Sequence, residues 1–525
     1  MKSRSQASPT TGSTHVWPPA HLGASSRFVV ARSLVGLILA ILLLPGCDAE
    51  SRAPDANGAG PVSTSKSDSA ERLVAEHPVD EQLAEDTDAS QYPAASPDPA
   101  NTPVSEFAPA SSDAARPEAK SKSDAKPKPE GDKHPPNEQS PEKQDADKKG
   151  VFISPGGDDA NPGTRALPIQ TLQRWAQMQK GRDGARTLVM LPGTYPETLH
   201  LKHDGTRIIA DQSGTVIITP SGGNVVTIWA NNVLLQGLVL DGKFQASHLV
   251  ESKWGKSNIR LVDLECRNSV RHGIDLAFGS DSTIRGCHIH HCLWWNAAGG
   301  ESSASNQRDA HGIVTTAHQR LSIIDCDIHH CSGDSFQADR GDTWQDITIR
   351  GTRMWTGPLD EASAQASGFP QGLTPGENAV DTKKAPRKDG KPTQRGRLLI
   401  EDCECFGFQP DLTSVKGAAF NLKEHVEVTL RNCHIHDNAY GLRLRGPVGH
   451  EASRGGATVT IEGCLVENNR LAIRHEDGLQ NLTIRNSTFR GHGPGGEQLW
   501  QQAPGRVPHG PGWILEKNQG LTSPP

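Results

Sequence analysis

The hydrophobic and polar positions of this chain fall into a short repeated pattern. Val428-Thr-Leu-Arg-Asn-Cys-His-Ile-His436 matches Val459-Thr-Ile-Glu-Gly-Cys-Leu-Val-Glu467, Ser282-Thr-Ile-Arg-Gly-Cys-His-Ile-His290 and Leu482-Thr-Ile-Arg-Asn-Ser-Thr-Phe-Arg490. Weaker copies start at Val233, Arg260, Leu321, Ile347 and Leu398. One aligned column reads Leu238, Leu264, Cys287, Cys326, Thr352, Cys403, Cys433, Cys464 and Ser487. Each unit alternates apolar and polar residues over two short stretches, such as Val428/Leu430 and then Cys433/Ile435, which predicts two strands. A polar turn follows, often with Asn (Asn268, Asn438, Asn469). A third strand comes next: Gly273-Ile-Asp-Leu276, Ser335-Phe-Gln-Ala338, Ala379-Val-Asp-Thr382, Ala419-Phe-Asn-Leu422 and Gly441-Leu-Arg-Leu444.

Three strands per repeat, with no helix between them, imply coils stacked as a parallel β-helix. The propeller alternative needs antiparallel blades of about 40 residues, and these units are shorter. The expected fold is all-β, with three-strand coils in about nine to eleven turns and interior ladders of equivalent residues about 4.8 Å apart. Gln170 to Lys180 reads as a short helix with Leu172, Trp175 and Ala176 on one face, placed to cap the open core. The capping segment is 151–200 and the coils run from about 200 to 490. The Gly/Pro-rich run 491–525 carries no repeat and is expected to be an irregular tail on the surface.

Composition divides the 525 residues into three regions. Residues 1–47 hold Lys2, Arg4, Arg27 and Arg32, no acids, and an apolar run from Leu34 to Leu44. That run is short for a membrane span, which needs roughly 20 residues, so it reads as a secretory signal. Residues 48–150 carry 12 Lys/Arg against 22 Asp/Glu, are rich in Ala, Ser and Pro, and show no strand or helix period. Such a segment cannot offset its ordering entropy by apolar burial, and a disordered tether is expected. Residues 151–525 are near neutral, with 38 basic and 39 acidic residues. Phosphate binding needs a basic footprint, so nucleic acid is not an expected partner.

Two resemblances follow from these residues. Leu44-Pro45-Gly46-Cys47 resembles a bacterial lipobox, which implies lipidation of Cys47, export, and a membrane anchor in the periplasm or at the cell surface. Val151-Phe-Ile-Ser-Pro-Gly-Gly-Asp-Asp-Ala-Asn-Pro-Gly-Thr164, Pro168-Ile-Gln-Thr-Leu-Gln173 and Leu191-Pro-Gly-Thr-Tyr195 resemble the start of pectate-lyase-like right-handed β-helix proteins. That resemblance covers roughly 151–490 and implies the fold, while leaving the activity open. A monomer is expected.

Five of the nine domain cysteines occupy one interior ladder, and Cys266 and Cys405 fall on another inward column, where Cys packs as a small hydrophobe. Disulfides stay open at this point. Cys287-His-Ile-His-His-Cys292 and Cys326-Asp-Ile-His-His-Cys331 look like zinc motifs. The strand period instead sends the Cys inward and stacks His290 on His329 outside, where a convergent tetrahedron from one hexapeptide is not available. A metal on this histidine ladder and a polar stack lining the turn both remain open.

The third strand carries the candidate site. Its first outward column reads Glu251, Asp275, Val314, Gln337, Asp381, Asn421, Arg443, Arg474, and its second reads Lys253, Ala277, Thr316, Asp339, Lys383, Lys423, Arg445, Glu476. Insertions border the same strand, at about 294–310, 357–377 and 407–416 before it and at about 384–396 and 446–457 after it. Long loops in a compact fold are usually functional, and walls around such a lattice suit a linear polymer. The cationic row points to an acidic polysaccharide. Uronate lyases abstract the proton α to a sugar carboxylate and expel the 4-linked oxygen, which needs a cation on the carboxylate and a base.

β-Helix lyases use Ca²⁺ or Arg for the first task and Lys or Arg for the second. Ala419-Phe-Asn-Leu-Lys423 resembles the Lys-bearing strand of a calcium-dependent pectate lyase family. That family's Asp-Asp-Gly motif is absent, with Gly333-Asp-Ser-Phe336 standing in its place. The resemblance implies Lys423 or Lys383 as the base, depressed in pKa by neighbouring cations. It also implies Arg443 and Arg445 on carboxylates, and Asp334, Asp339 and Asp381 around Ca²⁺. Gln337 and Asn421 would contact substrate, and Trp294, Trp295 and Trp355 would stack on sugars. Two alternatives stand beside the lyase. One is a non-catalytic glycan-binding or envelope scaffold. The other is a hydrolase or epimerase, with Asp339/Asp381 or Asp309/Asp334 as the hydrolase's carboxylate pair.

Overall fold

A computed structural model of the chain describes residues 150–180, 185–296, 306–339, 343–384, 394–409, 417–446, 456–476, 478–493, 498–502 and 513–522. The leader, the tether and Cys47 lie outside the described residues. The strands form three long sheets, of 13, 11 and 11 strands, and every pairing between successive coils is parallel. The first strand of a coil enters the first sheet, the second the second sheet and the third the third sheet. In one coil these are Val426–Arg431, His434–His436 and Tyr440–Leu444. The alternation is the cause: Val428, Leu430, Cys433, Ile435, Leu442 and Leu444 point inward and are buried, while the residues between them face out.

From Gly237 onward the corner between the first and second sheets is a single left-handed residue in each coil. Asp263, Asp325, Asp402, Asn432 and Asn486 hold φ between 52° and 55° there, a conformation that Asp and Asn tolerate and that Gly286 adopts freely. The expected Cys ladder follows that corner: Cys287, Cys326, Cys403, Cys433 and Cys464 are buried. All nine cysteines among the described residues are free thiols.

The expected polar turn resolves into two positions. Asn268 takes a left-handed position at φ 62°, shared by His291, His330, Asp437 and Asn468. Asn438 and Asn469 sit one residue later and are buried, bonded to one another across coils. The sequence pattern merged two columns that differ by one residue.

The capping helix spans Leu172–Met178, with the Thr171 side chain accepting from Arg174 N–H. Leu172 and Trp175 are buried on the core. Ala176 is exposed, and Met178 packs there in its stead. The expected irregular tail is also corrected. Trp500–Gln502 pairs with Leu471–His475 and extends the third sheet, and Ile514–Glu516 pairs with Asn481–Arg485 and extends the first. The chain therefore adds one further partial coil after Arg490. Among the described residues no helix is long and apolar enough to cross a membrane.

Candidate functional site

The register places the two outward columns of the third sheet as the alternation predicts. Glu251 pairs with Asp275, then Val314, Gln337, Asp381, Asn421, Arg443 and Arg474 in succession. At mid-length a cluster forms around Asp381. Its Oδ1 accepts from Asn421 Nδ2 at 3.0 Å, and its Oδ2 lies 3.2 Å from Lys423 Nζ and 3.9 Å from Lys383 Nζ. Thr382 fixes the lysine-bearing backbone, its hydroxyl accepting from Lys423 N–H and donating to Lys423 O. Asp381 and Asn421 are buried although they face outward.

The insertions before the third strand pack on one another. Trp294–Trp295 and Gln307–Arg308 pair as a short antiparallel hairpin. The helix Glu361–Ser367, capped by Asp360, seats Ala364 in a small separate core with Leu293, Leu359 and Phe369. Gln307 and Gly376 exchange two hydrogen bonds that join hairpin and insertion. The insertion segments 297–305, 385–393, 410–416 and 447–455 lie outside the described residues.

A polar ladder runs at the start of the third strand, one residue per coil: Asn224, His248 and His272, which are half-buried, then His311, Asp334 and Asn378, which are buried. Its side chains accept the next coil's backbone N–H groups, from His248 to Asn224 Oδ1 (3.2 Å), His311 to His272 Nδ1 (3.1 Å), Asp334 to His311 Nδ1 (2.8 Å) and Ala418 to Asn378 Oδ1 (3.2 Å). Gly333 allows the approach, because a Cβ there would lie 2.4 Å from His311 Nδ1. His311 Nδ1 accepts in this arrangement, so its 3.6 Å contact with Asp334 Oδ2 is not an ion pair. Burial holds His272 and His311 below the usual imidazole range.

Asp334, between His311 and Asn378 on this ladder, is 1% exposed. Asn378 Nδ2 donates to its Oδ1 at 2.7 Å, while Oδ2 is buried with no hydrogen bond. Burial, then the charges of Asp381 and Glu377, push its carboxyl well above the usual range. Glu377 is pushed to about 8 by desolvation and by Asp309 and Asp381, with Lys383 and Lys423 opposing. Asp275 rises to about 7 through burial and the charges of Glu251 and Asp339. The sequence reading missed Glu377 because it lies before the strand, outside both outward columns.

Several expected roles change. Burial alone would lower Lys383, but Asp381, Asp334, Asp339 and Asp309 outweigh it and hold its ammonium above the ordinary value. Lys383 is therefore a standing cation, and neighbouring cations do not depress it. Arg443 and Arg474 pair with Glu476 at 2.8 and 2.9 Å, with Arg445 at 3.8 Å, so the arginine row is gathered on one carboxylate. Trp355 belongs to the second sheet, stacked between His329 and Phe406, and its Nε1 donates to Asp327. Trp295 packs on Phe369, while Trp294 is 38% exposed under Arg271. Gln337 is buried beside Asp381 in the register.

The donor set does not fit a ready calcium site. Ca²⁺ takes six to eight oxygens. Both oxygens of Asp381 are engaged, by Asn421 and Lys423, and two ammonium groups stand at the cluster. Among the described residues, ligand atoms converge within 4.8 Å in two other groups, His288/His290/His329 and Glu404/His434/His436.

An exposed aromatic strip went unread in the sequence. Trp254 (74% exposed) stacks on Phe278 with centroids 4.1 Å apart, and Trp229 lies nearby under Lys253. All three follow the third strand in successive early coils.

Residues 393–505 match the family described as right handed beta helix region. A 56-residue stretch is 39% identical to the uncharacterized protein YwoF of Bacillus subtilis (strain 168), and the match spans 11% of either chain. Among solved structures, a rhamnogalacturonan lyase aligns at TM-score 0.44 and 15% identity, over 62% of this chain and 82% of that one. The A-module of the Azotobacter vinelandii mannuronan C-5 epimerase AlgE6 aligns at 0.39 and 13%, over 67% and 96%. The Dettilon tailspike protein aligns at 0.43 and 11%, over 70% and 68%. The three parallel sheets and the family match together make this domain a right-handed parallel β-helix, as the opening motifs led one to expect.

Proposed function

We propose that this chain is a carbohydrate-active β-helix protein that cleaves an acidic polysaccharide lying along the third sheet. One observation carries the reading. One row holds a carboxylate tied to a lysine (Asp381–Lys423) and, just before the strand, a carboxyl, Glu377, raised to about 8. A carboxyl shifted in this way among charged neighbours is the kind of group that serves in acid–base work.

Elimination is the favoured route. Lys383 meets the sugar carboxylate as a permanent cation. Lys423, after passing its own ammonium proton to Asp381 Oδ2 3.2 Å away, takes the proton α to that carboxylate. The electron pair forms the new C=C bond as the bond to the 4-linked oxygen breaks, and Glu377 protonates the leaving oxygen. Trp254 and Phe278 give the polymer an apolar platform farther along the sheet. Hydrolysis is the second reading, with the same Glu377 as acid and Asp381 as the second carboxyl of the pair.

The test incubates the full chain with a panel of uronic-acid polymers, with Ca²⁺ or with chelator, following ultraviolet absorbance and reducing ends together. Elimination gives both signals, and hydrolysis gives reducing ends alone. Retention on a glycan column without products supports the scaffold alternative and overturns the enzyme. Activity abolished by chelator would restore Ca²⁺ to the site. We further propose that the protein is exported and held at a membrane through Cys47.

A further inference from the structure

The histidines of the second sheet form a cluster that the proposed reaction does not use. His288 and His290 alternate on one strand and face out together, and His329 lies beside His290 in the register. Their rings meet as a triangle, with centroids 4.2, 4.9 and 5.0 Å apart. We propose that His288, His290 and His329 form a binding site for a divalent transition-metal ion of the zinc type.

Three features support a ligand set rather than a mere stack. First, the ring orientations are fixed from behind. His290 Nδ1 lies 2.7 Å from His291 Nδ1, and His329 Nδ1 lies 2.7 Å from His330 Nδ1. Each such pair needs one N–H and one lone pair. With the ligand histidine as donor, Nε2 is left bare to bind a metal, the outer-shell arrangement of metal-bound imidazole. His291 and His330 can do this because both occupy left-handed turn positions, at φ 55° and 51°, which turn their rings back onto the preceding residue.

Second, His290 Nε2 is buried and faces the Glu265 carboxylate at 3.5 Å. The outward stack His290–His329–Trp355–Phe406 accounts for ring packing but not for this atom. Third, His288 lies outside that stack, in the neighbouring column, yet its Nε2 is 2.7 Å from His329 Nε2. Zinc–nitrogen bonds of about 2.0–2.1 Å in a tetrahedron place ligand nitrogens about 3.3 Å apart. The two nitrogens therefore need to part by only about 0.6 Å to admit the ion. His288 is half-buried at the solvent margin, which leaves a route in and an open fourth position. The bound ion would pin the adjacent strands His288–Cys292 and Asp327–His329 together.

The test strips the full chain with chelator, dialyses it, and titrates Zn²⁺ by calorimetry. Co²⁺ serves as a visible-absorbance probe of tetrahedral nitrogen coordination. One site is expected, weakened at least tenfold by His288→Gln and by His329→Gln and unchanged by His434→Gln, which alters the other convergent group. Circular dichroism checks each fold, and His288→Gln leaves the aromatic stack whole. Absence of Zn²⁺ binding by the stripped protein overturns the proposal. So does binding by the His288→Gln and His329→Gln proteins as tight as that of the wild type, or a loss in His434→Gln as large as theirs.

Discussion

Replacing Asn438 with Ala tests how the coils are held in register. Asn438 is fully buried. Its Nδ2 donates to His436 O (2.8 Å), Asn469 Oδ1 (2.9 Å) and Cys405 O (3.2 Å), and its Oδ1 accepts from Phe408 N–H (3.1 Å). A neutral hydrogen bond contributes about 1 kcal/mol net, and an abandoned buried partner costs about 1–3 kcal/mol. Allowing for partners that keep other bonds, Asn438→Ala should destabilise by about 3–5 kcal/mol. Asn438→Asp should be worse at neutral pH, because a carboxylate would face two backbone carbonyls. Its folded-state pKa would be raised above the unfolded value of about 3.9. Its stability deficit is therefore small below that pH and grows as pH rises toward the folded pKa. Urea unfolding at pH 4 and pH 7 measures both. A loss below about 1 kcal/mol for Asn438→Ala, or an Asn438→Asp protein indifferent to pH, would refute the reasoning.

The other predictions concern the site and the anchor. Glu377, raised to about 8, prefers its protonated form in the folded chain, so its contribution is largest below an unfolded pKa of about 4.3 and declines up to about 8. Glu377→Gln should remove that decline from the melting curves and lower cleavage at least 100-fold, together with the alkaline limb near pH 8. Trp254→Ala should raise KM several-fold for long polymers and leave kcat near wild type, as steady-state kinetics would read. Cys47→Ser should move the protein from the membrane to the soluble fraction, and unchanged partitioning would sink the anchor.

Strand register was legible because each inward residue reports its face through a period of two. Glu251 through Arg474 and the Cys ladder therefore align without coordinates. The site was legible chiefly where it lies on those columns, as for Asp381, Asn421, Lys383 and Lys423, with Asp334 read from outside them. Glu377, Asp334 and the His248–His272–His311 ladder take their character from neighbouring coils. Those contacts cross insertions that a linear pattern does not measure. Lys383 shows the consequence: of the carboxylates that decide its pKa only Asp339 shares its column, while Asp381, Asp334 and Asp309 arrive from other positions. The final coil was missed because Trp500–Gln502 and Ile514–Glu516 are short, separated by a Gly/Pro-rich stretch, and followed at the left-handed corner by Lys517 where earlier coils carry Asp, Asn or Gly.

The most direct test of the account compares wild type with Asp381→Asn on one uronic-acid polymer, measuring new reducing ends and retention on immobilised polymer. Asp381 joins Asn421 and Lys423, so its loss should lower cleavage at least 100-fold while binding persists. Cleavage by Asp381→Asn at the wild-type rate, or no new ends from the wild-type chain on any such polymer, would contradict the account.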